Sequence, residues 1–200
     1  MRNRMGSGAL VLFLMFSFAR IASADGDGKQ GRNLRAKLTG FQEVPAISTG
    51  ASGTFAGTIN EAGDTINFTL KYSNMSSAAA ASHIHLGQAG VNGGVMAFLC
   101  GGGSKPACPA GNTDTVVTVT GTIVATDVLA VPAQGIAAGE FAEFLKAIRA
   151  GVTYANVHTA GAPNGLFPGG EIRGAIRVAR GRDRHDDDRD DDHDDDQDDD

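Results

Sequence analysis

Three short segments alternate polar with apolar residues at a period of two: Ser-His-Ile-His-Leu-Gly at Ser82–Gly87, Tyr-Ala-Asn-Val-His-Thr at Tyr154–Thr159, and Gly-Gly-Glu-Ile-Arg-Gly at Gly169–Gly174. Successive side chains on a strand point to opposite faces. Ile84, Val157 and Ile172 then face a core, while His83, His85, Asn156, His158, Glu171 and Arg173 face the other way. Three of the five histidines lie in these strands, and the other two, His185 and His193, lie in an acidic C-terminal run.

The same reading extends along the chain. Alternating runs bounded by turn residues predict strands at Arg35–Leu38, Ala51–Asn60, Thr65–Tyr72, Ser82–Leu86, Val95–Leu99, Thr115–Ile123, Thr153–His158 and Glu171–Val178. Their spacing argues for a mainly β fold, an antiparallel β-sandwich or barrel of immunoglobulin-like or superoxide-dismutase-like type. Glu61-Ala62-Gly63-Asp64 reads as a hairpin connection, and the loop Ala160–Gly170 suggests an antiparallel pair that sets His158 close to Glu171. One segment, 139–150, has helical periodicity instead. Phe141, Phe144, Leu145 and Ile148 recur on one face, acidic residues come early and basic ones late, and Gly151 supplies a stop.

The ends of the chain read differently. Residues 1–24 have the layout of a cleaved secretory signal: Arg2 and Arg4 in front, an apolar stretch from Ala9 to Ala19, and Ala22-Ser23-Ala24 as the cleavage site. That stretch is short of the roughly 20 residues that span a bilayer, so no transmembrane segment is expected in the mature chain. Residues 25–34 read as a flexible lead-in. Residues 180–200 read as a disordered tail; within Gly181–Asp200 there are thirteen aspartates and three arginines, a formal −10, whereas residues 25–180 carry eleven basic and ten acidic side chains, or +1. All the net acidity is in the tail, which argues against nucleic acid as a partner. Its carboxylates suit weak, multivalent calcium binding or a charged surface, or they serve only to solvate a domain of low charge. In an exported protein the two cysteines, Cys100 and Cys108, are expected to pair. Asn67-Phe-Thr69 and Asn74-Met-Ser76 match the glycosylation acceptor pattern.

Four motifs occur in order: Glu43-Val44-Pro45, His83-Ile84-His85-Leu86-Gly87, Asn156-Val157-His158-Thr159 and Gly170-Glu171-Ile172-Arg173-Gly174. Together they resemble the CHRD domain, the chordin-type module, over residues 35–179. The resemblance implies a compact, β-rich, extracytoplasmic unit, used in larger proteins as a repeated or accessory module; for this chain the expectation is a non-enzymatic binding or structural protein, secreted, periplasmic or at the cell surface, whose partner is an extracytoplasmic protein or surface ligand. It carries no catalytic chemistry across.

The histidines leave three readings open: a metal site, a ligand-free polar network, and a site for a small molecule or glycan. His83 and His85 lie about 6–7 Å apart along one strand face, and with His158 they could share a zinc or copper ion. A His-x-His strand in a β-sandwich is also similar to copper,zinc superoxide dismutase, but its further histidines and its aspartate ligand have no counterpart at matching places. In the second reading, His83, His85 and His158 join Asn156, Thr159, Glu171 and Arg173 in a buried polar network that fixes strand register and needs no ligand. There is no Gly-x-Ser-x-Gly elbow, and the glycines at Gly101–Gly103 follow a strand without opening a helix, so hydrolase and phosphate-loop chemistry is unsupported.

Overall fold

The structure, a computed structural model, describes residues 31–159 and 167–179. The expected signal at 1–24, residues 25–30, residues 160–166 and the tail from residue 180 lie outside the described residues. Nine strands form: β1 (Asn33–Thr39), β2 (Ser52–Ile59), β3 (Ile66–Ser73), β4 (Ala79–Leu86), β5 (Gly94–Cys100), β6 (Val117–Ile123), β7 (Thr153–Thr159), β8 (Ile172–Ala175) and β9 (Arg177–Val178), with one α-helix, α1 (Phe141–Arg149), before β7. They make one antiparallel sheet in the order β5-β4-β7-β8-β1-β2-β3-β6, with β9 beside β1, and it curls into a nearly closed barrel.

Alternation explains most of this. In β1 the pattern places Leu34, Ala36 and Leu38 inside and Asn33, Arg35 and Lys37 outside, and β2 pairs with it in full register from Asn33↔Thr58 to Thr39↔Ser52. β2 and β3 form the expected hairpin, from Ile59↔Ile66 to Ser52↔Ser73. The stretch expected as a single strand over Glu171–Val178 is divided: Ile176 turns inward, and its N–H donates to Thr153 O at 2.9 Å. The division lets β8 pair with β7 while β9 pairs with β1. In α1, Phe141, Phe144, Leu145 and Ile148 are buried as the periodicity requires. Gly151, at φ 69°, ends the helix, with its N–H on Ile148 O.

Two features position the site. First, β4, β7 and β8 are covered on both sides, so the face expected to carry only polar residues is itself interior: His85 is 7 % exposed, Asn156 1 % and Arg173 2 %. Second, the barrel's open seam between β5 and β6 is bridged. Cys100 and Cys108 are disulfide-bonded. In the loop they close, Lys105 pairs with Asp127 at 2.8 Å and donates to Thr122 O at 2.6 Å, while Ser104 donates to Asp127. The chain beyond β6 then lies against β5, with Leu129 N–H on Met96 O at 2.8 Å. Among the described residues, no helix is long and apolar enough to cross a membrane.

Candidate functional site

The pairing of β4 with β7 assembles the histidines. His83 lies opposite Asn156, His85 opposite Tyr154 and Ala81 opposite His158, so the three rings converge on one face. Ring nitrogens of His83, His85 and His158 all lie within 4.8 Å of one another, and His83 Nδ1 is 3.1 Å from His158 Nε2. Ligands about 2.0–2.1 Å from a tetrahedral ion stand about 3.3–3.4 Å apart, so the His83–His158 pair is already near ligand spacing.

Proton placement follows from the neighbours. His85 Nδ1 is 3.0 Å from Gly93 O, and His158 Nδ1 is 2.7 Å from Pro168 O. A carbonyl only accepts, so both Nδ1 atoms carry the hydrogen and a neutral ring has its lone pair at Nε2. Anchoring one ring nitrogen on a backbone carbonyl while the other faces inward is how metal-ligating histidines are oriented. Burial pushes His83 down to about 3, assisted by its His158 and His85 neighbours, and pushes His85 down to about 4. His158, partly open to solvent, is also lowered, mainly by burial. All three rings are therefore neutral at pH 7, the form that binds a metal. His85 Nε2 also faces the Asn156 side-chain amide, whose Oδ1 is 3.1 Å away. A half-turn of that amide presents its NH2 to the lone pair instead.

The other residues expected in one network are distributed over separate groups. Glu171 lies close in sequence to Arg173 but does not face the histidines. Its carboxylate accepts from Thr49 Oγ at 2.6 Å, from Ser76 N–H at 3.0 Å and Oγ at 2.9 Å, and from Thr159 Oγ at 3.0 Å. Thr159 therefore belongs with Glu171, and this carboxylate ties the end of β7 to the connections before β2 and β4. Arg173 donates to Asn92 Oδ1 at 2.9 Å and to Val91 O at 2.7 Å. Its guanidinium lies 3.8 Å above the Tyr154 ring, which stacks in turn on His85 with centroids 4.7 Å apart.

Glu43 is the residue whose role was least evident. It is 5 % exposed, and its Oε1 has no hydrogen-bond partner. Burial raises it to about 7, against the opposing pull of Arg173 and the Val44 N–H. It lines a cavity of about 220 Å³ with Phe41, Tyr154 and Arg173. Gly170, at φ 120°, packs so close that a Cβ there would collide with Glu43 Oε1 and Asn156 Nδ2. Tyr154 was within reach of the alternation argument, since it shares parity with Asn156 and His158. Thr49, Ser76 and Asn92 come from connections where no period marks a face.

The family model of the CHRD domain matches residues 34–176. No curated protein and no solved structure matches the chain.

Proposed function

The chain belongs to the CHRD domain family, and from that premise we propose that it is an exported binding module whose His83, His85 and His158 hold one zinc or copper ion. The observation that carries this reading is the orientation of the rings. His85 and His158 each spend Nδ1–H on a backbone carbonyl; His158 thereby turns its Nε2 lone pair to His83, and a ligand nitrogen of each of the three rings lies within 4.8 Å of the others, with His85 Nε2 beside the Asn156 amide. Three neutral imidazoles suit zinc or copper and leave a fourth position open. Export is supported by the Cys100–Cys108 disulfide, which persists in oxidising compartments, and by the signal-like residues 1–24. The ligand of the module is a protein or surface outside the cytoplasm, and the aspartate-rich tail adds weak calcium affinity.

A second reading rests on a specific contact. His83 Nδ1 and His158 Nε2 are 3.1 Å apart, a hydrogen bond that closes the cluster without an ion if His83 donates. Metal analysis separates the two. The purified chain, dialysed against calcium to occupy the tail, is expected to retain about one equivalent of zinc or copper per chain. A His83→Ala, His85→Ala double variant should retain none. A wild-type chain that takes up no added zinc or copper, or a variant that takes up as much, overturns the metal reading and leaves the histidines as architecture.

A further inference from the structure

The outer face of β1, β2 and β3, on the far part of the sheet from the histidines, is basic and has no acidic partner among the described residues. Arg35 and Lys37 on β1 and Lys71 on β3 are all exposed. Register places Lys37 opposite Thr54 and Thr54 opposite Lys71, so the two lysines flank one threonine across three adjacent strands, about 10 Å apart. Lys37, Ser52, Thr54, Lys71 and Ser73 line a shallow trough there. On the other side of β1, Arg35 lies directly opposite Arg177 of β9, and like charges in that position repel. The ion pairs among the described residues are Arg32–Glu61, Lys105–Asp127 and Lys146–Glu143. None of them uses Arg35, Lys37, Lys71 or Arg177.

The chain itself supplies the missing charge. Described structure ends at β9 and Ala179, whose N–H donates to Asn33 O at 2.7 Å at the start of β1. Residues 180–200 follow from this point, beside Asn33 and two residues before Arg35 on β1. They carry thirteen aspartates, in triplets at 186–188, 190–192, 194–196 and 198–200 after Asp183. At up to about 3.3 Å per residue this stretch reaches well past Lys71. Tethering makes the encounter intramolecular, which raises the local concentration of carboxylate to roughly the millimolar range.

We propose that the aspartate-rich tail, Asp183–Asp200, docks on the basic outer face formed by Arg35, Lys37 and Lys71. A divalent ion that binds the aspartates competes with this face for them. No contact of this face depends on the histidine cluster.

Zero-length carbodiimide coupling of the intact chain, which joins a lysine amine to a carboxylate in contact with it, reads the docking directly. At low salt, tail peptides are expected on Lys37 and Lys71 about fivefold or more above Lys105 and Lys146, in monomeric product. The excess should vanish in roughly 1 M sodium chloride, where the screening length is about 3 Å. Tail peptides spread evenly over the four lysines, an excess that persists at high salt, or coupling found only in concentration-dependent dimers would overturn the proposal. The last outcome would assign the face to a second copy of the chain.

Discussion

Glu43 and Glu171 are both buried carboxyls, and the chain treats them in opposite ways. Every approach to Glu171 is filled: two hydroxyls from connections, one from β7 and a backbone N–H converge on its two oxygens. Glu43 Oε1 has no partner and faces a cavity beside Tyr154 and Arg173. A saturated buried carboxylate is a joint, since its charge is stabilised by donors that are themselves fixed by it. An unsaturated one carries a standing cost, so its retention points to something that the cavity receives or that the neighbouring histidines require. The contrast also separates two sides of one strand pair, because Glu171 serves the packing while Glu43 lies next to Asn156, the amide that meets His85.

The largest test of this contrast is Glu171→Ala. It leaves the Ser76 N–H and the Thr49 and buried Thr159 hydroxyls without their acceptor, and unfolding by urea should show a loss of about 3 kcal/mol or more. A loss below about 1 kcal/mol would show that Glu171 is no joint at all. Gly170→Ala follows, at about 2–3 kcal/mol, because its φ of 120° disfavours a side chain and the new Cβ meets Glu43 and Asn156. Combining it with Glu43→Ala should recover part of that cost, and strict additivity would place the strain in the backbone alone.

The smallest effect has a size that depends on pH. Glu43 holds its proton up to about pH 7 in the fold against 4.5 in the unfolded chain. Between those values the folded state binds more protons, so raising the pH through this window removes stability. Glu43→Gln abolishes the titration. It should match wild type near pH 4.5 and exceed it by about 1–2 kcal/mol at pH 8, a figure kept below the full shift because the carboxyl, though buried, faces a cavity. Urea midpoints at the two pH values decide this, and a variant equally weak at both would make Glu43 a joint like Glu171.

Much of the frame was legible in the residues. Alternation located the strands, and in β7 it placed Ala155 and Val157 against the core. The 3.6-residue period located α1, and the parity of His83, His85 and His158 brought them to one face. Alternation distinguishes faces without saying what covers them, and this is why the buried network stayed one reading among others until β4, β7 and β8 were seen to be covered on both sides. Pairing across connections was equally silent: Arg173 meets Asn92 and Glu171 meets Thr49 and Ser76, all contributed by turns. The break at Ile176 was hidden because both halves of the segment obey one alternation.

The bridged seam of the barrel has a consequence for where the protein can be made. β5 and β6 are the two ends of the sheet, and a strand end without a neighbour is a template for another chain. The Cys100–Cys108 loop, with Lys105 clasping Asp127, holds the covering segment over that edge. In a reducing cytoplasm the clasp loses its covalent anchor, and newly made chains would meet through their exposed edges before the barrel is shut.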